Sequence, residues 1–84
     1  MTTTRVDWVG TLNKLAGTTN LGALAAANHY AGTSGLGIIA ALNVKAGNGH
    51  DPKGWRELTG VCNQIAGTTN LEALAALQIA AGET

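Results

Sequence analysis

The amino-acid sequence is organised by a short phrase, Asn-x-x-Ala-Gly, that recurs along its 84 residues. Four copies are intact, and a fifth has Gln78 where the others have Asn. The five copies occupy 13–17, 28–32, 43–47, 63–67 and 78–82, so that successive copies are 15, 15, 20 and 15 residues apart. A period this short and regular indicates one small structural unit repeated along the chain.

Each copy fits the end of an amphipathic helix. Mostly apolar residues lie seven and four positions before the Asn, and Ala lies three positions after it. These positions share one face at 3.6 residues per turn, which predicts a buried stripe that includes the Asn. A buried amide must be hydrogen-bonded, so we expect it to bind backbone at a neighbouring helix end rather than form a ligand-binding ladder. The residues concerned are Asn13, Asn28, Asn43 and Asn63.

The expected helix ends are also repeated. The last residue of each phrase is a Gly at the position where a left-handed residue ends a helix, at Gly17, Gly32, Gly47 and Gly67, and again at Gly82. Nine residues before the Asn, the N-cap candidates are Thr4, Thr19, Ser34 and Thr69. Thr69 with Glu72, and more loosely Thr4 with Asp7, has capping-box spacing. Together these signals predict helices of about 11 to 12 residues joined by two or three residues.

A small residue lies three positions before every Asn. The residues are Gly10, Ala25, Ala40, Gly60 and Ala75. Small side chains at one repeated position predict a close approach of helix backbones there. Replacing Ala40 with Leu is therefore expected to overpack the crossing and to cost about 1–3 kcal/mol of stability.

The fourth unit carries five extra residues around 48–52. Asp51 can serve as an N-cap with Pro52 at the first helical position, which favours a fourth helix lengthened by one turn. The alternative is a plain loop that ends at Gly54. The segment 16–21 returns, identical, at 66–71, which suggests that units one and two were duplicated as units four and five.

The expected architecture is therefore an all-α single domain of five short helices. Two duplicated helical hairpins would flank a central helix, as a compact bundle or a very short solenoid. The repeat units run over about 4–17, 19–32, 34–47, 51–67 and 69–82.

Composition restricts the classes of function. Charged residues are 12 % and the formal net charge is zero, so nothing favours binding to nucleic acid or to an anionic membrane. No apolar run reaches the roughly 18 residues of a membrane span, and the first residues do not resemble a signal peptide. A surface this poor in charge is a solubility liability, which suggests a subunit that is covered within an assembly.

No catalytic, metal or cofactor site is predicted. Cys62 aligns with apolar residues of the other units, which favours a core filler over a nucleophile, and no local motif supports a triad with His29 and Asp51. His29 and His50 lack metal-ligand spacing. The Gly-Thr-Thr loops offer only a weak nest for an anion.

Residues that depart from the repeat are the candidates for partner contacts. The two Trp residues occupy different positions in their units, five and eight residues before the Asn, so at least one can face a partner rather than the domain's own core. The candidate contacts are Trp8, His29, Tyr30, His50 and Trp55.

Three stretches resemble a known repeat. They are Leu-Ala-Gly-Thr-Thr-Asn-Leu, Ala-Leu-Asn-Val-Lys-Ala-Gly-Asn and Gly-Val-Cys-Asn-Gln-Ile-Ala-Gly-Thr-Thr. Together they resemble a repeat found in small virion-associated proteins, and in tails of larger structural proteins, of tailed phages that infect actinobacteria. The resemblance extends from about Asp7 to Gly82. The chain has Asn20 and Asn70 where that family often has Gly, and keeps Gly at Gly35.

The resemblance implies a structural role on a capsid or tail and transfers no catalytic residue. The expected partners are other virion structural proteins, such as major capsid or tail subunits, with many copies in each particle. The expected location is the virion, after synthesis in the host cytoplasm. One alternative is a small helical adaptor that binds a partner protein through a groove. Another is a membrane-active, bacteriocin-like peptide, against which the zero net charge argues.

Overall fold

The protein is all-α, as the repeat predicts. The computed structural model describes residues 5–82 and the side chains of residues 8–82. Five α-helices run in order, α1 (Arg5–Ala16), α2 (Ala23–Ala31), α3 (Ile38–Ala46), α4 (Leu58–Ala66) and α5 (Ala73–Ala80), with a short 3-10 helix at Pro52–Gly54. None of the helices in the described part of the chain is long and apolar enough to cross a membrane.

The five helices form a closed bundle. Each helix packs against the next one in sequence, and α1 also packs against α5. The contact between the first and last helices closes the series, which distinguishes it from an open solenoid. The resulting body measures 33 × 28 × 18 Å.

The core includes the repeated Asn and, in unit five, Leu74, as the repeat predicted, but other residues of the predicted stripe lie outside it. In the first four units the Asn and the two residues before it are buried; in unit five, the two residues before Gln78 are buried. Leu12, Leu42 and Leu77, each directly before the Asn position, are completely enclosed. The residue four positions before the Asn was expected in the core, but Leu24 and Ile39 are exposed.

This difference has a geometric reason. Helices α2 to α5 have only 8 or 9 residues, and each of them begins five positions before its Asn or Gln. The residue seven positions before, such as Leu21, therefore lies in the preceding loop and obeys no helical periodicity. A helix of two to three turns contacts the centre of a closed bundle at one point, rather than along a stripe.

The predicted close approach at Gly10 and its equivalents is wrong. Gly10 and Ala25 are exposed and Ala40, Gly60 and Ala75 are half-buried. A Cβ atom at Gly10 would meet nothing within 4 Å. The Ala residues that are fully enclosed lie one or two positions later, at Ala26, Ala27, Ala41 and Ala76. Overpacking is therefore expected at Ala41 and not at Ala40.

Helix ends follow the prediction in the first four units, whereas α5 is followed by Ala81 in the right-handed conformation and Gly82, with φ of 79°, comes one residue later. Gly32, Gly47 and Gly67 follow α2, α3 and α4 with φ of 74°, 90° and 75°, and Gly17 follows α1 with φ of 74°. The next residue donates its backbone N–H to the backbone oxygen of the repeated Asn, as in the 2.9 Å bond from Thr18 to Asn13. This six-to-one bond defines a Schellman motif, in which Asn is the third residue from the cap and Gly adopts the left-handed conformation.

Helix starts do not follow the prediction. The caps are Gly22, Gly37, Glu57 and Glu72, none of which makes a side-chain capping bond. Thr19, Ser34 and Thr69 lie three residues earlier, within the loops, so the capping box of Thr69 with Glu72 does not form. The loops after α1, α2 and α4 have six residues, where two or three were expected. The proposed cap at Thr4 lies outside the described residues.

The extra residues of unit four do not lengthen the helix. Asp51 does act as an N-cap, since its carboxylate accepts the N–H of Lys53 at 3.0 Å, and Pro52 follows it at the first position. The helix that they begin is the separate 3-10 turn, and α4 begins only at Leu58. The local signal was therefore correct, but the inferred length was wrong.

Two glycine substitutions separate backbone conformation from packing. Gly10 is exposed within α1, where Gly→Ala is expected to raise stability by roughly 0.5–1 kcal/mol. Gly47→Ala places a Cβ at φ of 90° and is expected to lower stability by about 1–2 kcal/mol. Urea unfolding of both variants measures the difference. A loss of stability in the Gly10 variant would restore the close approach that the structure excludes.

Candidate docking surface

The loops are fixed by the buried Asn residues. Asn13 donates its side-chain N–H groups to the backbone oxygens of Val9 and Leu21, both at 2.8 Å. Its Oδ1 accepts the N–H of Leu21 at 3.0 Å and the hydroxyl of Thr18 at 2.6 Å. All four hydrogen-bonding positions of the amide are therefore filled. Asn28 and Asn63 repeat this arrangement in their own units.

This arrangement confirms the expected structural role of the Asn. It also shows the role of the Thr that follows the helix-ending Gly in units one, two and four, which the sequence pattern alone did not reveal. The signal was present, because Thr18, Thr33 and Thr68 all follow that Gly directly. Leu21 turns its N–H inward to Asn13, so this group is not presented to an anion as a nest would require.

The five extra residues of unit four lie in a longer loop between α3 and α4, the unit-four loop (residues 47–57), which keeps the same hydrogen bonds to the Asn. Asn43 binds Arg56 as the other Asn residues bind Leu, donating to its oxygen at 3.0 Å and accepting its N–H at 2.8 Å. Asn48 replaces Thr and donates to Asn43 Oδ1 at 2.8 Å. The unit-four loop is held by a hydrogen bond that Trp55 Nε1 donates to the backbone oxygen of Gly49, at 2.9 Å. It is also held by paired amides of Asn48 and Gln64.

An apolar groove of about 740 Å³ opens where the first turns of neighbouring helices meet. We call it the aliphatic groove. It is lined by Trp8, Val9, Gly22, Ala23, Leu24, Gly37, Ile38, Ile39, Ala40 and Leu58. None of these residues is charged. The volume lies within the roughly 300–1,000 Å³ range of binding pockets in proteins.

The repeat itself generates this groove. The residues five and four positions before the Asn supply most of its lining, such as Leu24 in unit two and Ile39 in unit three. Leu24 is 52 % exposed and Ile39 is 43 % exposed. Unit four has Thr59 at the same position, and in unit five Leu74 is buried. At this repeat position the exposed aliphatic side chains are Leu24 and Ile39; Ile79 of α5, which is 37 % exposed, is not among the lining residues of the groove.

The structure does not gather the five candidate contact residues into one site. Trp8 lines the aliphatic groove, and the exposed His29 lines a neighbouring recess. His50 is exposed in the unit-four loop, and Trp55 is half-buried in the same loop. Tyr30 is half-buried, with Lys45 Nζ 4.7 Å from its ring centre. The sequence correctly indicated Trp8 as a residue of this surface. It did not indicate Leu24 and Ile39, because both fit the apolar stripe that was expected to be buried in the core.

Cys62 has the environment of a core residue. It is completely enclosed, and burial raises the pKa of its thiol to about 12. Burial also raises the pKa of Tyr30, and the nearby Cys62 adds to this rise. A nucleophilic cysteine needs the opposite shift, towards the thiolate. His29 and Asp51 are exposed, so the three residues do not form a triad.

Among the side chains of residues 8–82, no group of three or more His, Cys, Asp or Glu is arranged to hold a metal ion. The chain matches no known protein family, no curated protein and no solved structure.

Proposed function

We propose that the protein is a non-enzymatic structural subunit of a tailed-phage virion, present in many copies and docked through the aliphatic groove. The observation that supports this proposal is the exposure of Leu24 and Ile39 beside an uncharged recess. Contiguous apolar surface of this kind marks interaction sites in soluble proteins. The resemblance of the repeat to virion-associated proteins is the reason for proposing a virion as the assembly. The capsid or tail subunits of that virion are the proposed partners.

The energetics suit an assembly of many copies. Full burial of a Leu or Ile side chain contributes roughly 1.5–3 kcal/mol, and both side chains already lose about half of their accessible surface within the monomer. A groove of this size therefore supplies a weak contact. Weak contacts of this kind give stable attachment only where several copies are joined to one another, so that one bound groove raises the effective concentration of the next.

Incorporation into particles tests the proposal. Particles purified from infected cells are expected to contain the protein at a fixed ratio to the major capsid or tail subunit. Leu24→Glu supplied in place of the natural chain is expected to lower that ratio at least tenfold, because it places a carboxylate in the groove. Thr59→Glu adds the same charge at the same position of unit four and is expected to leave the ratio unchanged. A chain found only free in the lysate contradicts the proposal.

A second candidate function is a small adaptor that binds one helix of a partner protein. The position of the groove between first turns of adjacent helices favours it, since an amphipathic helix buries its apolar face in such a groove. A saturable complex with one host protein, with no association with particles, would support the adaptor over the virion subunit.

A further inference from the structure

We propose that Asn48 is a site of spontaneous deamidation, and that its pairing with Gln64 restrains the reaction in the folded chain. In this reaction the backbone nitrogen of Gly49 attacks the side-chain carbonyl carbon of Asn48. A C–N bond forms, the amide nitrogen leaves as ammonia with the proton of Gly49, and a cyclic succinimide remains. Water then opens the ring to aspartate or isoaspartate. The reaction needs only the chain and water, so it is independent of any partner.

The residue that follows Asn48 makes the attack possible. Of the seven Asn residues in the sequence, Asn48 alone is followed by Gly. Gly has no Cβ to obstruct the approach of its nitrogen, and Gly49 is exposed with φ of 82°. Within the described residues 8–82, no backbone oxygen accepts its N–H. The attacking nitrogen is therefore neither shielded by a side chain nor held by a backbone bond.

The other exposed Asn residues lack such a nitrogen. Asn20 and Asn70 are each followed by a Leu. That Leu donates its N–H to Asn13 Oδ1 at 3.0 Å in the first case and to Asn63 Oδ1 at 3.1 Å in the second. The four Asn residues of the repeat are themselves buried. The chain therefore favours deamidation at Asn48.

The amide of Asn48 is held by two partners. Its nitrogen donates to Asn43 Oδ1 at 2.8 Å and to Gln64 Oε1 at 2.9 Å, and its oxygen accepts from Gln64 Nε2 at 3.1 Å. Attack by Gly49 requires the amide to turn, so these bonds must open first. Gln64 is exposed, and water competes for both of its bonds to Asn48. Opening of this pair is the local event that controls the reaction.

Deamidation changes what the unit-four loop presents to Asn43. The new carboxylate has no N–H to donate, and its oxygen would face Asn43 Oδ1. Asn43 cannot turn its own amide to compensate, because its nitrogen already donates to the backbone oxygens of Ile39 and Arg56. The side-chain bond between Asn48 and Asn43 is therefore lost, which loosens the attachment of the loop.

Mass spectrometry of the purified chain during incubation at neutral pH tests the proposal, with fragmentation to locate the modified residue. In the chain unfolded by guanidinium chloride, Asn48 is expected to deamidate before any other Asn. In the folded chain the reaction is expected at the same residue but about tenfold more slowly, because the pair must open. Gln64→Ala is expected to restore most of that factor. Gln78→Ala makes the same substitution in α5 and is expected to leave the rate within about twofold.

Two further variants test the consequence. Asn48→Thr introduces the residue that binds the Asn in units one, two and four, and it is expected to abolish deamidation at this position. Asn48→Asp imitates the product and is expected to unfold at a lower urea concentration than Asn48→Thr. Circular dichroism checks that all variants remain folded.

Three results would overturn the proposal. The first is a different Asn that reacts faster than Asn48 in the folded chain. The second is a rate at Asn48 that Gln64→Ala leaves unchanged, or that Gln78→Ala raises equally. The third is an equal urea midpoint for Asn48→Asp and Asn48→Thr. All of these measurements use the isolated chain, so none depends on whether it enters virions.

Discussion

Asn63→Asp is expected to lower stability by about 3–5 kcal/mol at neutral pH, the effect of an uncompensated buried charge. The side-chain nitrogen of Asn63 donates to the backbone oxygens of Thr59 and Leu71, both at 2.8 Å, and the residue is almost completely buried. A carboxylate of the same shape would place a negative oxygen against those two oxygens. A domain of this size has a total stability on the order of 5–10 kcal/mol, so the substitution removes a large share of it.

The destabilisation is also expected to depend on pH. The two facing oxygens raise the pKa of the introduced carboxyl in the folded state above its unfolded value of about 3.9. The loss of stability is therefore largest above the folded-state pKa, and it decreases as the pH falls towards the unfolded value and both states become protonated. Urea unfolding from about pH 4, close to the unfolded-state pKa, to about pH 8 measures this dependence.

Asn70→Asp is the matched control for this substitution. Asn70 is exposed in the loop after α4, which Asn63 binds, and the change adds the same charge. It is expected to alter stability by less than about 0.5 kcal/mol. Equal effects at Asn63 and Asn70 would show that the buried amide is not what holds the loop.

The features that were predicted correctly are those that one unit determines by itself. A helix-ending Gly and a buried Asn are local features, and repetition shows them four times over. Helix starts were misjudged because the loop is fixed by the preceding unit. Thr18 gives its hydroxyl to Asn13, and the α2 cap at Gly22 lies just after Leu21, which Asn13 also binds. No pattern within the second unit reveals this dependence.

The same cause explains the error in unit four. Both backbone groups of Arg56 are bound to Asn43, thirteen residues earlier. A residue held in this way cannot belong to a continuous helix from Pro52 to Ala66, whatever the capping signal at Asp51 indicates. Bonds between units thus decided the boundaries that local propensity left open.

The groove could not be predicted, because its position depends on ring closure. Each short helix has apolar residues around much of its circumference, for example Ile38, Leu42 and Val44 in α3. Periodicity over nine residues does not show which side faces the centre. Packing of α1 against α5 decides it, by closing the ring around the residues directly before each Asn.

Replacing Leu42 with Ala is therefore expected to cost about 2–5 kcal/mol, whereas Ile39→Ala is expected to cost less than about 1 kcal/mol. Leu42 is completely enclosed, so truncation removes its contacts and leaves a cavity. Ile39 is 43 % exposed, and Ala also favours the helix slightly. Urea unfolding at low micromolar protein concentration measures both effects. Equal losses at the two positions would place Ile39 in the core, and the aliphatic groove would then not be the free surface that docking requires.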